Sequence, residues 1–280
     1  MRRTRFAPSP TGYLHLGHGF SALTAFARAR AAGGQMLLRI EDIDHTRCRS
    51  HFEAAIRADL AWLGLRWPLP VWRQSARRAA YDAALGRLAA LGLTYPCRCS
   101  RKDIAAALAA PQEGAAAAPV YPGTCRSRPM ASRQPGDAVR LDMGRALAAL
   151  RAPPVWRETG MHPGLRRLHP AGMLAETGDI VLARRDIGTA YHLAVVVDDA
   201  AQGVTEVVRG ADLADATPIH VLLQTLLGLP TPDYHHHRLI RGDDGARLAK
   251  RDAARPLWDY RAAGATPADL RALLGLPSAP

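Results

Sequence analysis

Two histidines three residues apart, His15 and His18, bracket Gly17 near the start of the chain. That spacing sets both imidazoles on one face of the first turn of a helix. Gly17 has no side chain, so a flat ring can lie against the backbone there. Ahead of them a short apolar strand, Thr4 to Ala7, runs into a Pro/Gly turn, Pro8-Ser9-Pro10-Thr11-Gly12; behind them a helical pattern continues through Leu23, Phe26 and Ala27. Strand, tight turn and helix N-terminus favour an anion, because unbonded N–H groups and the helix dipole both point at it. The stretch predicts a nucleotide pocket with two imidazoles near the phosphates.

Other chemistry-bearing groups lie further along. Glu41-Asp42-Ile43-Asp44 closes the apolar run Gln35 to Ile40, and carboxylates at the end of a parallel strand sit where doubly wound sheets bind ligands; alone, the cluster reads equally as a solvated loop. Cys97, Cys99 and Cys125 are clustered while Cys48 stands apart. In a reducing compartment such thiols point to a metal or to plain packing. Cys-x-Cys is tighter than the usual spacing of structural zinc sites. His235-His236-His237 cannot all face one site on regular structure, so one imidazole is expected in the pocket and two outside. Asp198-Asp199 could bind Mg²⁺ by residue type and takes no assignment.

Strands and helices alternate through the first ninety residues. Phe52 to Leu63 and Arg78 to Leu91 are amphipathic, and Val71-Trp72 is a short strand candidate, which argues for an α/β fold with a doubly wound, Rossmann-like parallel sheet. The pattern breaks at Tyr95-Pro96-Cys97. Ser100 and Asp103 offer a capping box, and residues 111–119 are low in complexity. Ala138 to Leu141 and Ile180 to Ala183 look like strands. Tyr191 to Val197 has no decisive period, Val204 to Val208 is a strand, Thr217-Pro218 caps and opens a helix to Leu227, and Thr266 caps a last helix, Pro267 to Leu274. The expected division is 1–95 and 185–231 as two halves of the sheet domain, 96–184 as an inserted α+β subdomain, and 232–280 as a small C-terminal helical segment. The net charge is +12 with only two lysines, Lys102 and Lys250, among 37 basic residues. The arginine bias is compositional, but the excess charge fits a polyanionic partner such as RNA, or solubility alone. No run approaches the ~18 apolar residues of a spanning helix, and Met1-Arg2-Arg3-Thr4-Arg5 leads directly into a strand with no signal-peptide core. The expectation is a cytoplasmic monomer.

Three stretches resemble a family. His15-Leu16-Gly17-His18 is similar to the first signature of class I aminoacyl-tRNA synthetases. Arg5 to Gly12, Leu38 to Asp44, and Val195 to Asp199 continuing to Gly203–Leu213 look like the glutamyl-tRNA synthetase branch. The end of the chain at Pro280 leaves no room for an anticodon-binding domain, which is similar to the glutamyl-queuosine tRNA(Asp) synthetase subfamily. So are Cys97-Arg98-Cys99 and Tyr121-Pro122-Gly123-Thr124-Cys125, which resemble that subfamily's zinc site. The resemblance implies one structural Zn²⁺ on Cys97, Cys99, Tyr121 and Cys125.

A side-chain carboxylate needs a fixed cation, and an Arg guanidinium reads one through two hydrogen bonds. The resemblance implies that Arg5 and Arg209 face L-glutamate, with Phe6, Ala7, Pro8, Ser9 and Tyr191 along the pocket and Glu41 on the α-ammonium. His15, Gly17 and His18 would bind ATP, carried with Mg²⁺ as the substrate complex, and Lys250 would join them. Lys250 lies in Arg247-Leu248-Ala249-Lys250-Arg251, which is similar to a Lys-Met-Ser-Lys-Ser loop but has Arg247 for Lys and Ala249 for Ser. Three functions stay open. The first is activation of glutamate and its transfer to queuosine at the wobble position of tRNA(Asp). The second is charging of a tRNA 3′ end. The third is a non-catalytic paralogue, suggested by the altered loop.

Overall fold

The computed structural model describes residues 1–108, 120–240 and 255–277. In chain order, β1 (Arg3–Phe6) leads into α1 (Leu16–Ala31), β2 (Gln35–Ile40), α2 (Ser50–Trp62), β3 (Trp72–Arg73) and α3 (Arg78–Ala90). There follow β4 (Thr94–Cys97), α4 (Arg101–Leu108), β5 (Ala138–Leu141), α5 (Met143–Ala148), β6 (Val155–Glu158), β7 (Gly164–Arg167), α6 (Pro170–Gly172), β8 (Val181–Arg184) and β9 (Gly188–Thr189). The chain then forms α7 (Tyr191–Ala201), β10 (Glu206–Gly210), α8 (Thr217–Leu226), β11 (Asp233–His237), α9 (Leu257–Ala262) and α10 (Pro267–Leu273).

β1, β2 and β3 are parallel neighbours, and so are β10 and β11. The two groups meet where the Thr205 N–H donates to the Arg3 carbonyl at 2.9 Å and the Arg3 N–H donates to Thr205 Oγ1 at 2.9 Å. From β1 the chain steps outward through α1 to β2. From β10 it steps the opposite way through α8 to β11. The C-terminal ends of β1 and β10 therefore flank a topological switch point, where open α/β sheets bind ligands. A second sheet, β4-β5-β8-β9, is antiparallel. The 96–184 segment is not wholly set apart from the main sheet, because β6 pairs parallel with β11 through Tyr234 and Glu158, and β7 pairs with β6.

The two largest apolar cores among the described residues hold these layers. One joins α1, β1, β2 and α2 to the C-terminal helices through Leu23, Leu38, Ile56, Leu257 and Leu270. Each such side chain, fully buried, stabilises by roughly 1.5–3 kcal/mol. The other joins α3, β5, β8, α7 and α8 through Leu88, Val139, Leu182, Val196 and Leu222. The undecided Tyr191–Val197 stretch is the start of α7. Three consecutive valines favour a strand locally, but α7 is buried on several faces between the second core and the sheet, and burial decides. The expected Ser100–Asp103 capping box and the expected Thr266 cap both form, the latter as a capping box with Asp269. Thr217 differs: it lies inside α8, after a 3₁₀ turn, and its hydroxyl does not cap the helix.

Candidate active site

The turn after β1 is pinned to the end of β2, since the Glu41 N–H donates to the Pro8 carbonyl at 3.0 Å and the Arg49 N–H to that of Pro10 at 3.0 Å. The chain then enters α1 through His15, whose backbone is extended. Its Nδ1 accepts from the Gly17 N–H at 3.1 Å, and His18 Nδ1 accepts from the His15 N–H at 3.2 Å. This is a reciprocal capping box built from two imidazoles. The rings lie 3.8 Å apart at 43°. Because each Nδ1 accepts, a neutral ring carries its proton on Nε2. Capping and a place on the cavity wall described below are thus the same geometry for both residues. A Cβ on Gly17 would stand 3.1 Å from His15 Cε1, so the glycine makes room for the capping ring.

A cavity of about 580 Å³ opens at the switch point. Arg5, Phe6, Ala7, Pro8, Ser9, Glu41, Tyr191 and Arg209 line it, together with His15, Gly17 and His18. All the expected pocket residues that lie among the described ones meet there. Lys250, with Arg247 and Ala249, falls outside the described residues. The chain on either side of that segment reaches the site: Leu239 and Ile240 line the cavity, and Pro256 bridges to His15.

Beneath the cavity the sheet carries a buried ionic lattice. Arg5 on β1 and Arg39 on β2 point to the same face as α7. Asp199 on α7 takes Arg5 Nε at 3.1 Å and Arg39 Nη1 at 2.7 Å. Arg39, fully buried, also reaches Glu41 at 3.2 Å. Asp198 takes Arg77 Nε at 2.5 Å and the hydroxyl of Tyr81 at 2.7 Å. Burial works against ionisation of Asp199, yet Arg5 and Arg39 override it and hold its carboxyl below the usual range. For Glu41 the balance is reversed: burial pushes its carboxyl up, and Arg39 and Arg5 only partly counter it. Burial likewise raises the Tyr191 phenol.

Arg209 is held differently. Its Nε donates to His236 Nε2 at 3.1 Å, its Nη1 meets His220 Nδ1 at 3.1 Å, and its Nη2 donates to Thr217 Oγ1 at 2.8 Å. Here lies the reason Thr217 is not a cap. In His235–His237 the expectation of a pocket imidazole holds, while that of two exposed ones is corrected. His236 and His237 are both buried, and His235 is half-buried against the Thr159 hydroxyl. Strand alternation sends His237 to the cavity and ring-to-ring contact with Phe20, while His236 pairs in register with Arg209. His220, His192, Glu158 and Arg39 were not singled out from sequence. Only the Thr217–His220 spacing of three on one helix hinted at a shared face.

Away from the cavity, the Sγ atoms of Cys97, Cys99 and Cys125 lie within 4.8 Å of one another, with Cys99 and Cys125 at 3.5 Å. The Tyr121 hydroxyl stands 3.4 Å from Cys97 Sγ and 3.5 Å from Cys99 Sγ. Tetrahedral zinc with Zn–S near 2.3 Å and Zn–O near 2.0 Å needs ligand separations of roughly 3.5–3.8 Å. The donor set fits a metal ion. Burial raises the Cys125 thiol, but the Arg98 backbone and the neighbouring phenol and thiol donors outweigh it and bring it down to about 7.

Residues 1–277 match the family described as tRNA synthetases class I (E and Q), catalytic domain. Among similar proteins, the glutamyl-Q tRNA(Asp) synthetase of Rhodobacter capsulatus is 58% identical over 280 residues, covering 98% of this chain and 99% of that protein. The glutamyl-Q tRNA(Asp) synthetase of Nocardia farcinica is 47% identical, covering 99% of this chain and 86% of its own. Among solved structures, the glutamate tRNA ligase of Elizabethkingia meningosepticum, crystallised in complex with its amino acid, superposes with a TM-score of 0.70 at 28% identity. The match covers 90% of this chain and 52% of that one, so the chain spans about half the length of that ligase. The chain belongs to the class I tRNA synthetases of the E and Q type and, among them, to the glutamyl-Q tRNA(Asp) synthetase family. By class it is a synthetase-like ligase. Among the described residues no helix is long and apolar enough to cross a membrane.

Proposed function

We propose that the protein activates L-glutamate with ATP and transfers it to the queuosine base at the wobble position of tRNA(Asp). The observation that carries this reading is the single cavity shared by an amino-acid side, Arg5, Glu41, Tyr191 and Arg209, and a helix-cap side, His15 and His18. Arg209 receives the side-chain carboxylate with Arg5 beside it, and Glu41 receives the α-ammonium. Ser9, on the turn from Phe6 through Pro8, bonds the substrate backbone, and the Tyr191 hydroxyl forms part of the wall.

The α-carboxylate oxygen attacks the α-phosphorus of Mg²⁺-bound ATP; the bond to the β-phosphate oxygen breaks and pyrophosphate leaves. The chain supplies positioning and positive charge rather than a covalent nucleophile. His15 and His18 present Nε2–H donors to the phosphates, Gly17 lets the nucleotide approach, and Lys250 places an ammonium on the departing pyrophosphate. A hydroxyl of the modified base then attacks the acyl carbonyl and AMP leaves.

Cys97, Cys99, Tyr121 and Cys125 would hold one structural Zn²⁺, which ties the β4 end to the 121–125 turn. We assign residues 1–95 and 185–231 to the catalytic sheet, together with β6–β7 and β11, which pair within it, and the rest of 96–184 and of 232–280, Lys250 excepted, to RNA contact. The protein is read as a monomer that meets its tRNA in the cytoplasm.

The test is glutamate-dependent pyrophosphate–ATP exchange without tRNA, followed by mass spectrometry of nucleosides from treated tRNA(Asp). Exchange together with a glutamylated queuosine is expected. Unmodified queuosine beside an aminoacylated 3′ end would refute the transfer. Absence of exchange with any amino acid, with or without tRNA, would leave a binding protein only.

A further inference from the structure

Arg5 and Arg209 face one cavity in opposite electrostatic surroundings. Arg5 is ion-paired with Asp199, which it shares with Arg39. Arg209 is just as buried, with 4% of its surface exposed. Among the described residues it forms no ion pair with a carboxylate. Its three nitrogens meet neutral groups instead: His236, His220 and Thr217.

A guanidinium only donates, so each ring nitrogen facing it is unprotonated. His236 then carries its proton on Nδ1 and donates to Glu158 Oε2 at 2.5 Å. His220 carries its proton on Nε2 and donates to His192 Nδ1 at 3.1 Å. Each tautomer is set by Arg209 on one side and by an acceptor on the other. Burial and the Arg209 charge together disfavour a proton on His220. Burial also lowers His236, although the Glu158 hydrogen bond opposes it.

We propose that His220 and His236 are positioning residues for Arg209: as uncharged acceptors they fix its guanidinium at the cavity wall while leaving its positive charge unneutralised, and this sets the preference for an amino acid ending in a carboxylate over one ending in a carboxamide. The inference rests on the reading that Arg209 receives the substrate side chain. Nη1 and Nη2 each have two protons and give one to the cage, so two remain for a ligand. Hydrogen bonding alone separates the two ligands weakly, because a carboxamide oxygen also accepts. Charge separates them, because a carboxylate entering a buried site needs an uncompensated cation, and a carboxamide brings an NH₂ group against donors.

The experiment is tRNA-free pyrophosphate–ATP exchange with glutamate and glutamine in parallel, for wild type, His220→Asp, His220→Asn and Arg209→Gln. His220→Asp sets a carboxylate against Nη1. It is expected to raise the glutamate KM and lower the glutamate-to-glutamine ratio of kcat/KM by at least about tenfold, with the KM for ATP unmoved. His220→Asn keeps an uncharged acceptor and is expected to recover most of that ratio. A general packing defect would move the ATP KM and both amino acids alike. If His220→Asp is insoluble, Thr217→Asp against Thr217→Asn makes the same comparison at Nη2. Equal ratios for the Asp and Asn variants, or a wild-type ratio in the Asp variant, would overturn the inference while Arg209→Gln still loses glutamate. An unchanged glutamate KM in Arg209→Gln would overturn the reading of Arg209 and the inference with it.

Discussion

Replacing Asp199 by Asn removes one negative charge from the lattice beneath the cavity and keeps the size of the side chain. Asp199 takes Arg39 at 2.7 Å and Arg5 at 3.1 Å, and its side chain is 6% exposed. After the change, Arg5, Arg39 and Arg77 face only Glu41 and Asp198. The amide can keep one acceptor, but its NH₂ would turn a donor toward a guanidinium. Each guanidinium–carboxylate pair at this range is worth about 4 kcal/mol at an effective dielectric constant near 20, and the variant avoids part of the desolvation of the carboxylate. The expected loss of stability is about 3–5 kcal/mol, the range for breaking one partner of a buried pair. Urea unfolding followed by circular dichroism measures it, with Asp186→Asn as the control. Asp186 pairs with Arg184 at the surface, where removal costs less than about 1 kcal/mol. The folded carboxyl of Asp199 is depressed, so its contribution is present above the unfolded pKa near 3.8 and is lost only as pH falls through the lower folded value. The difference between variant and wild type is therefore constant from pH 5 to pH 8. A stability loss within about 0.5 kcal/mol of the Asp186 control would refute the account of the lattice.

Three further outcomes follow from other sites. Asp59 on α2 is fully buried and its pKa is raised by burial to about 6, with Arg261 at 3.5 Å opposing the shift. A raised carboxyl stabilises below the unfolded pKa and loses that contribution as pH rises through the folded value. Between pH 4 and pH 7 stability should fall by up to about 3 kcal/mol more in wild type than in Asp59→Asn, as read from unfolding midpoints at each pH. Purified protein should contain about one zinc per chain by elemental analysis and Cys99→Ser markedly less, with a lower melting temperature; equal metal content in both would remove Cys99 from the site. Lys250→Ala should lower kcat for exchange by at least about tenfold with an unchanged melting temperature, and an unaffected rate would take Lys250 out of the reaction.

The sequence determined much about this protein because its local signals agree with its tertiary contacts. The turn from Arg5 to His18 needs a strand end, a glycine and a helix start in sequence order, so its geometry at the cavity is local and legible. Gln35–Ile40 and the two capping boxes are legible for the same reason. The thiol cluster is partly legible, because two of its cysteines are neighbours in the chain.

Tertiary structure decided the rest. Three valines in a row gave α7 no helical signature; packing between two layers made it a helix. Thr217 has the spacing and type of a cap, but Arg209 takes its hydroxyl. The three histidines read as mostly exposed because polar residues ordinarily are, while β11 lies inside the sheet and buries two of them. Arg39 sits unremarked in an apolar run, and its full burial is tolerable only because Asp199 and Glu41 arrive from α7 and from the end of its own strand. The common cause is distance along the chain. A charge's partner 160 residues away leaves no local pattern, so the sequence names the groups that line the cavity, and only the fold shows which of them are ion-paired.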